Sequence, residues 1–259
     1  MKKHVIVVPI YKLKFSHDEE MCVKKFTDVL SGDDMVFICP ESLDTTYYKE
    51  TFVCFGYKPF PDKFFKNIYG YNRLMLSEDF YKSFSDYEYM LIAQPDAVIW
   101  REENMIPYFT AKEYDYYGAP WIPERRIWEW TVVRDKDGKK PKIKCAKKKG
   151  QGITMGNGGF SLRRIKPCIN LIHEHRWRKI YWFIKRNEDI FFGLLGRTGN
   201  NRCGFKLADT ETGKEFALEY DLKEYVKKGH VPFGVHGWSK YFSSYEEMEE
   251  YLKNAGVWK

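Results

Sequence analysis

Apolar and polar positions follow one rhythm up to about residue 100 and another beyond it. His4–Ile10 is a continuous, mostly β-branched run, the pattern of a strand buried on both faces. Ser16, with Glu19 three positions later, opens a helix that reaches to about Leu30, because that spacing lets each side chain cap the other's free backbone N–H. Met35–Cys39 and Thr51–Phe55 read as two more short strands bounded by Gly, Pro or Asp. Tyr71 to Phe84 places Leu74, Met75, Tyr81 and Phe84 near helical spacing, and Tyr87–Ala93 is a fourth apolar strand ending at Gln94-Pro95-Asp96. Alternating strands and helices predict a mostly parallel, doubly wound sheet.

In the second half Arg126–Arg134 alternates large and polar residues, Asp137-Gly138 is a turn pair, and Pro141–Cys145 alternates again. This predicts a β-hairpin, or a loose flap, over residues 126–149. Gly150, Gly152, Gly156, Gly158 and Gly159 surround a short strand ending at Phe160-Ser161-Leu162-Arg163. Asn187 can cap a helix whose first turn holds Glu188 and Asp189, and Tyr245–Lys253 makes a charged helix near the end. With no internal repeat and no linker, the 259 residues read as a single domain, residues 1–259, that changes character near residue 100.

Charge alters this picture in one place. Lys and Arg number 43 against 36 Asp and Glu, a formal +7. Between Arg134 and Lys149 lie nine basic and two acidic residues. That excess accounts for the whole net charge, so a basic appendage sits on a neutral body. Basicity over the whole surface would have suggested nucleic acid; this distribution does not, and no nucleic-acid partner is expected. A composition of 44% hydrophobic and 18% aromatic residues excludes a disordered chain. No apolar run is long enough for a membrane-spanning helix, and Met1-Lys2-Lys3 is not followed by a secretory pattern, so a cytoplasmic protein is expected. Six cysteines without a CxxC pair read as reduced thiols. His173-Glu174-His175 reads as a solvated helix surface.

Three segments could carry chemistry. Gln94-Pro95-Asp96 ends a buried strand, where open α/β sheets bind ligands, and offers hard oxygen ligands to Mg²⁺ or Mn²⁺; the same residues also suit an ordinary turn. Gly156-Asn157-Gly158-Gly159 lets a ligand approach the backbone, and Glu188-Asp189 before Ile190-Phe191-Phe192 could hold a general base at a dry wall or simply complement a helix dipole. In Phe233-Gly234-Val235-His236-Gly237-Trp238, the His between glycines could ligate a metal or stack on a ring, or be a buried His bonded to backbone.

Taken in order with Tyr114-Asp115-Tyr116-Tyr117-Gly118-Ala119-Pro120-Trp121, these motifs resemble an uncharacterised-domain family of glycosyltransferase-like proteins. More distantly, the chain is similar to the GT-A-fold nucleotide-sugar glycosyltransferases. The resemblance implies an α/β fold: a GT-A-like, Rossmann-type mixed sheet flanked by helices, with the basic β-hairpin inserted. Residues 1–100 would form the nucleotide-binding half and 101–259 the acceptor and catalytic half. It implies transfer of a hexose-type sugar from a nucleotide-sugar, with a UDP-sugar favoured, to a hydroxyl of a glycan, lipid-linked glycan or polysaccharide precursor. Inversion is expected, with Asp189 as general base and Glu188 as the fallback. Pro9 and Tyr11 would face the base, and Asn72 and Arg73 the diphosphate. Gln94, Asp96, Asn157, Gly158 and Gly159 would complete the donor site, and Trp121 and Trp238 would meet the acceptor. Asp96 and His236 would hold Mn²⁺ or Mg²⁺, although Gln94 stands where the family pattern has the first carboxylate of an Asp-x-Asp. The basic flap would guide an anionic, lipid-linked acceptor or touch an anionic membrane at the inner face. A non-catalytic carbohydrate- or nucleotide-binding protein that retains the fold is the alternative.

Overall fold

The computed structural model of the chain describes residues 2–126, 129–134, 141–146, 152–176, 187–197 and 200–259. Its first half runs β1 (Lys2–Pro9), α1 (His17–Val29), β2 (Asp34–Pro40), α2 (Thr46–Thr51), β3 (Phe55–Phe60), α3 (Ile68–Met75), α4 (Glu78–Lys82), β4 (Tyr87–Ala93) and β5 (Ala97–Ile99). After α5 (Ile106–Thr110) come β6 (Tyr116–Tyr117), β7 (Pro120–Arg126), β8 (Glu129–Arg134), β9 (Pro141–Ala146), β10 (Gly152–Met155) and β11 (Phe160–Arg164). The rest is α6 (Ile165–Glu174), α7 (Glu188–Leu195), α8 (Thr210–Phe216), β12 (Ala217–Leu218), α9 (Leu222–Lys227), β13 (Gly234–His236) and α10 (Tyr245–Asn254).

The main sheet has six strands in the order β3-β2-β1-β4-β11-β6. The first four run parallel, as the alternation predicts. β11 runs antiparallel to both of its neighbours, β4 and β6, so the sheet is mixed rather than doubly wound throughout. Val5–Val8 and Met90–Ala93 are fully buried, which is why these strands read as unbroken apolar runs. The chain builds outward from β1 to β2 and β3, then returns to place β4 on the other side of β1. Such a reversal opens a crevice outside the carboxyl ends of the two central strands.

The Ser16–Glu19 capping box is present, and α1 starts at His17 as expected. Two elements differ from the sequence expectation. Thr51 to Cys54 is not a strand: Thr51 ends α2, Val53 is exposed, and β3 begins only at Phe55. Gly56 and Pro59 disguise β3 as a turn, yet an edge strand tolerates proline because one side of its backbone has no partner. The segment Tyr71–Phe84 is two helices rather than one. Leu76 caps the end of α3, and Ser77 opens α4 with Glu78 and Asp79 in its first turn. His175 is also not on a solvated surface: it is buried with its ring edge toward Phe191, and Glu174 accepts from the backbone of Arg202 and Cys203.

β5 pairs with β13, which pairs in turn with β12, in a small separate sheet. β8 and β9 form the expected antiparallel hairpin, with Arg134 opposite Pro141. The Asp137-Gly138 turn and the lysines at 147–149 lie outside the described residues. Among the described residues no helix is long and apolar enough to cross a membrane.

Candidate active site

Strand direction explains how the glycine motif reaches the crevice. β11 runs antiparallel to β4, with Phe160 opposite Ala93, so the segment entering β11 meets the segment leaving β4. The Gln94 N–H donates to the Gly159 carbonyl at 2.7 Å. Asn157 sits in the left-handed region at φ 58°, which a short carboxamide tolerates. Its Oδ1 accepts from Gly159 N–H at 3.0 Å, and its Nδ2 donates to Glu219 Oε2 at 3.1 Å.

Both glycines are required by close approach. A methyl group on Gly158 would sit 1.9 Å from Glu188 Oε1, and one on Gly159 would sit 2.5 Å from His236 Nε2. The motif therefore forms a thin wall, with the Glu188 carboxylate on one side and the His236 ring on the other. His236 Nε2 also lies 3.4 Å from Asp96 Oδ1, brought there by the pairing of β13 with β5, which sets His236 opposite Ala97. Burial works against a charged His236, but Asp96 and then Glu219 outweigh it and raise its pKa above 6.5. Burial likewise raises Asp96, but His236 and then Lys12 leave it below the ordinary carboxylate value. Both imidazole nitrogens are buried without a hydrogen bond.

α7 is buried along its whole length. Its first carboxylate, Glu188, is held by Arg163, whose side chain is 0% exposed. The guanidinium donates to Glu188 Oε1 at 3.0 Å, the Gly158 carbonyl at 3.3 Å, Ser161 Oγ at 2.9 Å and the Tyr81 hydroxyl at 2.9 Å. Four acceptors around one buried cation supply the pairing that a charge without water requires. Asp189 is 7% exposed, and its Oδ1 accepts from the N–H of Ile190 at 2.6 Å. Asn187 caps α7 by position but makes no side-chain cap bond; its Oδ1 accepts instead from Asn72 Nδ2 at 3.5 Å.

The structure thus brings together Gln94, Asp96, Asn157, Gly158, Gly159, Glu188 and His236, with Asn72 tied to the cap of α7. Pro9 ends β1 beside Ile38 of β2. Tyr11 stands 58% exposed just beyond it, and Lys12 is close enough to influence Asp96. Arg73, next to buried Asn72 on α3, is exposed. The two tryptophans are core residues: Trp121 packs its ring against Gly156, and Trp238 lies beside Cys22 with its ring edge toward Tyr245.

Several residues at the site escape sequence reading. Tyr71 looks like a helix-face aromatic, and Glu219 and Lys240, 2.9 Å apart, look like surface charges. Arg163 carries one legible signal: a cation inside a strand otherwise buried needs an anionic partner.

Solved structures share this architecture. Two structures of LgtC match nearly the whole chain at 13% identity: an active-site mutant over 97% of this chain and 95% of that one, with a TM-score of 0.55, and the galactosyltransferase in complex with donor and acceptor sugar analogs over 98% and 96%, with a TM-score of 0.54. Core-mannan synthase A from Aspergillus fumigatus, in its Mn/GDP form, matches 75% of this chain and 70% of its own at 9% identity, with a TM-score of 0.50. At these identities the likeness is one of fold: a mixed α/β sheet of the GT-A glycosyltransferase kind. A comparison with curated proteins finds no match. A family model covers residues 55–236, from β3 to the histidine of the site, and the chain belongs to that family, DUF5672, proteins of unknown function.

Proposed function

We propose that this protein is a glycosyltransferase that moves a sugar from a nucleotide-sugar, a UDP-sugar by preference, to an acceptor hydroxyl. The observation that carries the reading is the convergence at the sheet's switch point of the Asp96–His236 pair, the Gly158-Gly159 wall and the start of α7. The nucleotide lies over the end of β1 near Pro9 and Tyr11, with Gln94 below. The diphosphate faces Asp96 and His236, flanked by the cations Lys12, Arg73 and Lys240. The sugar rests against Asn157, Gly158 and Gly159, the thin wall between Glu188 and His236.

Asp189 accepts the proton of the acceptor hydroxyl as its oxygen bonds to the anomeric carbon. The bond from that carbon to the diphosphate oxygen breaks, and its electron pair leaves with the nucleoside diphosphate. Attack from the face opposite the leaving group inverts the configuration. Glu188, engaged with Arg163, holds the start of α7 in place instead of taking the proton. Asp96 and His236 fit a divalent cation, Mn²⁺ or Mg²⁺, as a two-residue half-site: a carboxylate and an imidazole 3.4 Å apart with both ring nitrogens unbonded. Among the described residues no group of three His, Cys, Asp or Glu forms, so ligand oxygens would complete the coordination. Such a cation would neutralise charge developing on the diphosphate. The acceptor is anionic, of the lipid-linked glycan type, and is drawn by the basic hairpin from an anionic membrane surface. Lost chemistry with retained binding is the second reading, favoured by Gln94 at the position of the family's first carboxylate.

Thermal shift with nucleotide-sugars, with and without Mn²⁺, followed by a donor-hydrolysis assay, separates the two. Turnover is expected, and Asp189→Asn should stay folded while losing roughly 10²–10⁴-fold in kcat. Binding without turnover in the unmodified chain supports the second reading, and full activity in Asp189→Asn removes Asp189 as the base.

A further inference from the structure

α3 carries two polar atoms beside the site that make no hydrogen bond. The Tyr71 hydroxyl and Asn72 Oδ1 are both buried without a hydrogen bond. Tyr71 stands among Glu188, Arg163, Gln94 and Asp96, and Gln94 lies beside its hydroxyl. Burial, and then the charge of Glu188, push the phenol well above its usual pKa, so it keeps its proton and remains a donor. Asn72 faces Asn187, the cap of α7, with its amide nitrogen engaged and its oxygen open.

Buried polar groups in native proteins are nearly always paired, because leaving one without a partner costs the desolvation of that group. Two orphans on consecutive residues of one short helix, beside Asn187 and Glu188 at the start of α7, mark a place where a ligand supplies the missing partners. A donor and an acceptor together suit hydroxyl groups, which both give and receive hydrogen bonds. We infer that the Tyr71 hydroxyl, with the Asn72 carboxamide oxygen, recognises ring hydroxyls of the donor sugar and so determines which sugar is accepted. This rests on the glycosyltransferase reading. It adds that sugar choice lies in α3, apart from the Asp96–His236 pair that faces the diphosphate.

Specificity built this way is strong, because the wrong sugar leaves the same buried groups unpaired. Tyr71→Phe tests it with little change of shape. UDP-glucose, UDP-galactose, UDP-N-acetylglucosamine and GDP-mannose are titrated calorimetrically against unmodified and variant protein, with UDP and GDP as sugar-free references. The unmodified protein should bind one of the four more tightly than its own nucleoside diphosphate. Tyr71→Phe should lose about tenfold of that sugar-nucleotide affinity, one hydrogen bond's worth, and keep its affinity for UDP and GDP. Without ligand, the variant's Tm should equal or exceed that of the unmodified chain, since an unpaired buried hydroxyl has been removed.

Three results would overturn the inference while leaving the glycosyltransferase reading intact: unchanged sugar-nucleotide affinity, an equal loss for the sugar-free nucleotides, or a Tm several degrees lower, which would make the hydroxyl a structural bond. If the unmodified protein binds none of the six probes, both readings fall together.

Discussion

Arg163 shows how much of this site depends on a single side chain. Its guanidinium is enclosed and tied to Glu188, Gly158, Ser161 and Tyr81. Arg163→Met would leave the Glu188 carboxylate buried without its partner, and such losses cost about 3–5 kcal/mol. Urea unfolding should show that loss, and adding Glu188→Gln should return part of it, because a neutral amide tolerates burial better than an unpaired charge. Asp96 and His236 make a different kind of pair, open on one side: the Asp96 side chain is 57% exposed. His236 is raised above 6.5, so its contribution to stability is present below that pH and fades as pH climbs through the raised value. Asp96 is lowered, so its contribution holds above the ordinary carboxylate pKa of about 3.9 and is lost as pH falls further. Metal-free protein should therefore show the largest Tm difference from Asp96→Asn between about pH 4 and 6.5, shrinking toward pH 8. At this scale the sequence shows which residue types are present but not their partners. His236 between two glycines is conspicuous in the sequence; that Gly159 and Asp96 enclose its ring depends on contacts between β13, β5 and the β11 entry loop.

Element by element, the sequence is legible where one local pattern dominates. β1, β4 and α1 follow from an apolar run or a capping box, and α10 from its charge pattern. α3 and α4 read as one helix because their apolar positions continue in phase across Leu76-Ser77, while the break depends on Ser77 opening a new acidic first turn. β3 is hidden because Gly56 and Pro59 have turn propensity that its edge position overrides. The entry to β11 carries the sharpest prediction of this kind. Gly158→Ala must push the Glu188 carboxylate aside, since the new carbon would lie 1.9 Å from it. Overpacking of this sort costs about 1–3 kcal/mol. The thermal shift caused by the bound nucleotide-sugar should also shrink, because the displaced carboxylate is the one holding the start of α7. Gly32 is the control, since an added methyl group there would meet nothing within 4 Å: alanine at that position should leave ligand binding unchanged.

For the whole molecule, the fold class is readable because alternation of strands and helices leaves few packings. The reversal of β11 between β4 and β6 is not, since nothing in a short apolar segment encodes its direction. Net charge is readable as well, and it divides the molecule into a neutral body and a hairpin whose segment carries the full excess of seven positive charges. Exchanging Lys139, Lys140, Lys147 and Lys148 for glutamine should weaken the use of an anionic acceptor and flatten its salt dependence. Donor hydrolysis should be spared. An equal fall in both rates would make the hairpin a structural element.

The antiparallel course of β11 also bears on when the site comes into existence. β4 lacks its outer neighbour until the chain has passed residue 164, and β5 lacks β13 until residue 236. During synthesis the parallel half therefore presents an open, apolar sheet edge, the kind of surface that recruits other chains. Contacts between such distant segments are slow to form because loop closure precedes any reward. The crevice is consequently among the last features to be assembled, and its chemistry becomes available only to a chain that has already closed its own exposed edge.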